Sequence, residues 1–311
     1  MENKTLQNSP YTIPFAIVIA GIIIAVALLY GQQKYTGEKN VTQSETIFPK
    51  SGVVLPVLWG DLGAKLVSVG AIDGEKFKAY YEEKGQYITE YKNLLFGNSP
   101  GKLKITKDNA GYLLNLFWAL GLASKNDILD SGEMGDPKYG GAENFASTAG
   151  WTMAVGDPMD HYNRHKFFNL SPEQQALVDK VSRGIYRPCC GNSTHFPDCN
   201  HGMAMLGLLE LIASQGANEQ EMWDVALVVN SYWFSSTYEI VAIYMRNKGI
   251  EWKDVNPQEI LGASFSSSKG FAKIKSQINT PNSSQGGSGC GVGVVGSAHI
   301  VAQRQQSERS V

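Results

Sequence analysis

The sequence predicts an all-α fold: a multi-helix globular domain with long loops, preceded by one N-terminal transmembrane helix and followed by a disordered Gly-rich tail. Three observations carry this. Apolar residues recur at helical spacing from about Val53 to Ile278, capping residues stand at the heads of those runs, and no series of alternating segments announces a sheet.

Residues 1–10 are a short tail. No charge occurs between Lys4 and Lys34, and Ile13 to Tyr30 is an unbroken apolar run. At about 1.5 Å per residue such a run nearly spans a bilayer core of about 30 Å. Tyr11 and Tyr30 suit its two interfaces. A cleaved signal peptide is the competing reading, because Ala25-Val26-Ala27 has the small-x-small form. That triplet lies inside the apolar run, with Leu28-Leu29-Tyr30 after it, so residues 11–30 read as an uncleaved anchor in the lipid bilayer. The short tail ahead of it places the rest of the chain on the extracytoplasmic side.

Residues 31–51 are polar and read as a linker to the domain at 52–278. Within the domain, Leu62, Leu66 and Val69 share one helical face, and Asp73 caps a helix through Phe77 and Tyr80-Tyr81. Thr106 or Asn109 opens the apolar helix holding Tyr112 to Leu122. Ser171-Pro172-Glu173-Gln174 combines an N-cap serine with proline at the first helical position. Asn218 and Glu221 have capping-box spacing ahead of Trp223 to Val229. Tyr238 to Met245 forms a further helix ended near Gly249, and Asn256-Pro257 opens a short one. Long loops fall near 130–157 and 186–198. Residues 279–311 are rich in Gly, Ser and Gln, and bury too little apolar surface to offset their ordering entropy.

Composition excludes some functions. The 311 residues carry 27 Lys plus Arg against 29 Asp plus Glu, a net charge of −2 with no basic block. Nucleic acid is therefore not an expected partner, since phosphate neutralisation needs a basic face. Glycine patterns of nucleotide-binding loops and of a serine nucleophile elbow are absent in a strand–helix setting.

The chemistry concentrates in residues 160–201, which hold four of the five His and three of the four Cys. Imidazole and thiolate are the ligands preferred by zinc and copper, so the clustering is a metal-site signal. Asp157-Pro158-Met159-Asp160 reads as a helix start, which would set His161 and His165 four apart on one face, with Asp160 able to orient a ring or to ligate. The blander reading is two solvated histidines beside Arg164 and Lys166.

Further on, Asp198 reads as the N-cap of an apolar helix from Met203 to Ala213, with Cys199 as its first residue and His201 in its first turn. A helix N-terminus stabilises a thiolate. The loop before it, with Pro188, Gly191 and Pro197, lets Cys189 and Cys190 fold back toward Cys199. The predicted site is a copper or zinc ion bound by Cys189, Cys190, His195, Cys199 and His201, with His161 and His165 as a second contribution. Met203 and Met205 could add thioethers, although both fit a core face better.

Two other readings use the same cysteines. A disulfide between Cys190 and Cys199 would close a short loop, worth about 2.7 kcal/mol in the chain-entropy model, and make the domain a stapled interaction scaffold. Alternatively, Cys199 is a redox-active thiol activated by its helix. Buried inert thiols are the plainest case. Cys290, in the Gly-rich tail, is either an incidental residue or a thiol on a flexible arm.

Overall fold

A computed structural model of the chain describes residues 47–278. The expected anchor at 11–30, most of the linker, and the tail with Cys290 and His299 lie outside these residues. Among the described residues, no helix is long and apolar enough to cross a membrane. The strands and helices from Val53 onward lie in the unit that begins at Phe48.

The domain is helix-rich, but it opens on a strand. β1 (Val53–Gly60) pairs antiparallel with β2 (Ser99–Ile105), Val53 facing Ile105 and Gly60 facing Ser99. This corrects the purely helical expectation from Val53 onward. The two-residue period is present in β1: Leu55, Val57 and Trp59 are buried while Val54 and Leu58 face out. Pro56 sits where the register slips between Val54 and Leu58, the position a residue without an N–H tolerates. The far edge of β1 is closed by one side chain. Gln215 accepts from Leu58 N at 2.9 Å and donates to Leu58 O at 2.7 Å, replacing one ladder rung.

Three short helices link the strands: α1 (Leu62–Ser68), α2 (Gly74–Glu83) and α3 (Thr89–Phe96). Asp73 caps α2 by accepting from Lys76 N, as its position implied. The core is built on α4 (Ala110–Ala123), which contains no charged residue and is buried almost throughout. Thr106 and Asn109 fix its start together, each side-chain oxygen accepting from the other's backbone N–H.

After α5 (Asp127–Ser131), the loop contains only single 3₁₀ turns until α6 (Pro172–Gly184), which opens on a full capping box of Ser171 with Gln174. α7 (Asn200–Ser214) follows and packs against α4, α6 and α8 (Glu219–Trp233). The Asn218–Glu221 box at the head of α8 is formed as expected. α9 (Ser235–Asn247), α10 (Pro257–Leu261), α11 (Ala263–Ser266) and α12 (Ser268–Ser276) complete the domain.

The α4–α7 contact is unusually close. A Cβ on Gly207 would stand 2.6 Å from Gly121 N and from Phe117 O, and one on Gly121 would stand 2.0 Å from Met203 O. Backbone meets backbone there, so no side chain can move aside.

The helix expected from Pro158 does not propagate. A single 3₁₀ turn, Pro158–Asp160, ends at His161, and Asn163 adopts the left-handed region at φ 54°. The competing interaction is the C-terminus of α4, whose last carbonyls lack partners within their own helix. Asn163 N donates to Leu122 O, and the N–H groups of Arg164 and His165 both donate to Ala123 O. Those tertiary bonds displace the i→i+4 bonds a helix would have made.

α7 carries one buried acid, Glu210, in an otherwise apolar stretch. Ser124 Oγ donates to its Oε2 at 2.6 Å. Burial pushes its carboxyl up to about 8, against smaller opposing bonds from Ser124 and Asn126. The folded protein therefore holds a proton that the unfolded chain releases above about pH 4.5.

Two outcomes follow. Gly207→Ala lowers thermal stability by about 3 kcal/mol or more, whereas Gly101→Ala, whose Cβ meets nothing within 4 Å, changes it by less than about 0.5 kcal/mol. Through Glu210 alone, stability falls by up to about 1.4 kcal/mol per pH unit as pH rises from about 5 to 8. Denaturant titrations of Glu210→Gln across that window lose this component of the slope.

Candidate metal centre

Residues 186–199 curl into a compact loop. An antiparallel bridge joins Tyr186 to Ser193, Thr194 N donates to Ile185 O, and Ser268 N donates to Cys190 O. Asp198 ties the limbs together, with Oδ1 accepting from Arg187 Nη2 at 2.6 Å and Oδ2 from Asn192 Nδ2 at 2.8 Å. That duty displaces it from the cap. Cys199 is the N-cap of α7 and His201 its second helical residue, so the helix starts one position later than expected.

The fold-back brings three sulfurs together. The Sγ atoms of Cys189, Cys190 and Cys199 all lie within 4.8 Å of one another, and those of Cys189 and Cys199 are 3.8 Å apart. No disulfide joins any of the three, so the expected alternative of a Cys190–Cys199 staple is not formed here. Such a close triad can hold a metal ion. Two thiolates on one tetrahedral ion at about 2.3 Å each are about 3.8 Å apart, which matches the Cys189–Cys199 separation.

Arg187 supplies the charge that organises the loop. Its side chain is fully buried, packed where a Cβ on Gly202 would stand 2.8 Å from the guanidinium carbon. A buried cation against the positive end of a helix needs negative neighbours. Burial opposes its charged form, but Cys199, Cys190, Asp198 and Cys189 surround it and hold its pKa above the ordinary value.

The reciprocal effect falls unevenly on the thiols. Hydrogen bonds from Cys189 and Cys190 hold the Cys199 thiol well below its usual range despite burial, with the charge of Arg187 adding to the effect. For Cys190, the bond with Cys189 lowers the pKa. Its bond to Cys199, together with burial, outweighs that and pushes the thiol up to about 12. Asp198 is also raised, chiefly by burial and by the charge of Cys199.

Polar atoms without partners gather in this segment. Arg187 Nε and Nη1, Thr194 Oγ1, Asn200 Nδ2 and both ring nitrogens of His201 are buried and make no hydrogen bond. They form the majority of such side-chain atoms among the described residues. His201 lies against Phe234, with ring centroids 4.3 Å apart, and both nitrogens keep their bonding capacity.

None of the expected histidine ligands, His201 included, brings a ring nitrogen into the 4.8 Å group of the three sulfurs. His195 is buried, but Glu133 Oε2 binds its Nδ1 and Asp179 Oδ1 binds its Nε2 at 2.9 Å, so neither nitrogen reaches the sulfurs. His161 and His165 contact each other and do not join the triad. Asp160 makes no hydrogen bond to either ring. Met203 and Met205 are fully buried in the core, as the helical face of Met205 implied.

Sequence reading missed Arg187, whose only local signal was its position beside Pro188-Cys189-Cys190. It also missed Glu133 and Asp179, which are distant in sequence from His195. Comparison with protein-family models, curated proteins and solved structures gave no match.

The uneven thiols set an order of reactivity. In the reduced, metal-free protein, iodoacetamide labels Cys199 before Cys190 at neutral pH, and the preference shrinks as pH approaches about 12. Peptide mapping of partially labelled protein reads this directly. Equal labelling at neutral pH contradicts the assigned electrostatics.

Proposed function

We propose that this domain is a metal-binding module, with Cys189, Cys190 and Cys199 as thiolate ligands and His201 as the fourth donor. The observation that carries the reading is the convergence of three sulfurs within 4.8 Å of one another. The buried imidazole two residues after Cys199 supports it, because an unpaired ring in a core is costly unless something binds it.

The donor set favours zinc or copper. Three thiolates and one imidazole match a closed tetrahedral zinc site, and three thiolates alone suit Cu(I). With His201 bound the site is structural; with it withdrawn, one position opens to an exchanging ligand. Arg187 balances part of the thiolate charge in either case, and its free N–H groups can donate to metal-bound sulfur.

The proposal extends to location. The apolar run at 11–30 would anchor the protein in a lipid bilayer and hold the domain on the extracytoplasmic face. A thiol-redox role at Cys199 is the competing reading, favoured by its lowered thiol and by the proximity of Cys189.

Elemental analysis and thiol titration on one reduced, purified sample test the proposal. The expected result is one zinc or copper held through the thiols, with three thiols becoming titratable when a chelator removes it. Cys199→Ser lowers affinity at least about 100-fold and His201→Asn by about 10- to 100-fold. Binding weakens as pH falls, because protons compete for the thiolates. Reduced protein that takes up no metal through these thiols refutes the proposal and leaves the redox reading.

A further inference from the structure

His161 and His165 lie in a separate part of the fold. His161 Nδ1 and His165 Nε2 are 3.3 Å apart, and their rings are nearly parallel, inclined at 29°. His161 Nε2 is 2.9 Å from Val155 O. A carbonyl can only accept, so His161 carries a proton on Nε2, and its neutral form presents a lone pair at Nδ1. His165 then donates from Nε2 in the metal-free protein.

We infer that this pair is a second metal site, distinct from the thiol centre, which takes one divalent transition-metal ion of the zinc, cobalt or copper kind and leaves its other coordination positions open to solvent. Three observations converge on it.

The first is the separation. Two imidazole nitrogens at about 2.0–2.1 Å from one tetrahedral ion are about 3.3–3.4 Å apart, while N–H···N hydrogen bonds centre nearer 3.0 Å. A small movement of either ring therefore suffices to bind. His165 shifts its proton to Nδ1 as Nε2 takes the ion, so the pair binds with no net proton release.

The second is the outer bond. A ligating histidine characteristically donates its other N–H to a backbone carbonyl or carboxylate, and Val155 O already fills that role for His161. Val155 is itself held by its N–H bond to Gly70 O. Gly70 has φ +79°, and a Cβ there would press within 3.2 Å of His161 Cε1.

The third is the rigidity of the support. Asn163, the left-handed residue between the histidines, accepts from Asn126 N at 2.7 Å and donates to Asp130 Oδ1 at 2.6 Å. Lys125 N also donates to His165 O. Little ordering entropy is left to lose on binding.

No third His, Cys, Asp or Glu ligand atom joins the pair among the described residues. His161 is buried and His165 is partly exposed. Water or a small anionic or carbonyl ligand must complete the coordination, so the site exchanges metal readily where the thiol centre retains it.

The test uses the full chain under reducing conditions, with Co²⁺ as the probe. One equivalent produces sulfur-to-cobalt charge transfer at the thiol centre. A second equivalent is expected to add only weak ligand-field intensity and to disappear in the His161→Asn, His165→Asn double variant. On wild-type protein, one added equivalent of Zn²⁺ beyond the first moves the ring ¹⁵N signals of His161 Nδ1 and His165 Nε2, a readout that needs no variant to fold. Equal uptake by wild type and variant, or unmoved ring signals, overturns the inference. Absence of charge transfer with retention of the histidine equivalent would instead refute the thiol reading and leave this one standing.

Discussion

The approach of α4 to α7 is the constraint on which both candidate sites depend. Gly121 and Gly207 let two helix backbones meet with no side chain between them. Once that contact is fixed, the N-terminus of α7 places Cys199 and His201, and the C-terminus of α4 supplies the carbonyls that seize residues 163–165. A larger residue at either glycine would shift both ends together. The apolar pair of helices thus acts as a frame, with polar chemistry confined to its ends.

Charge placement at those ends follows one logic. Arg187 is buried against Gly202 near the positive end of α7, an unfavourable place for a cation. Asp198 offsets it at the cost of leaving the cap position, and the thiols respond by stabilising one thiolate, on Cys199. His195 is handled differently: two carboxylates from distant segments hold both of its nitrogens. One histidine is therefore structural glue, whereas His201 keeps both nitrogens unbound.

Much of the helix inventory was legible because its causes are local. Asp73, Ser171, Asn218 and Asn256 each cap the helix their spacing implied. The strands were not legible: β2 contains Pro100 and Gly101, which read as loop, and β1 finds its partner only across three intervening helices. The helix after Asp157 failed for a related reason. Its capping signal was real, and Asp157 does accept from Met159 N, but the carbonyls at the end of α4 competed for the next N–H groups and won. Asp198 misled by one residue because a buried arginine claimed its carboxylate.

By itself the sequence determined which residue types are available and how close along the chain they lie: three cysteines and four histidines in one stretch, with turn residues that allow the chain to fold back. Only the tertiary structure decided how they divide into a thiol triad, an unpaired His201, a carboxylate-clamped His195 and a separate histidine pair. The reason is physical. Short-range capping and turn energetics are written in neighbouring residues, whereas ligand partnership depends on burial and on charges supplied by segments many residues away. Arg187, Glu133 and Asp179 carry no local mark of the partners they acquire.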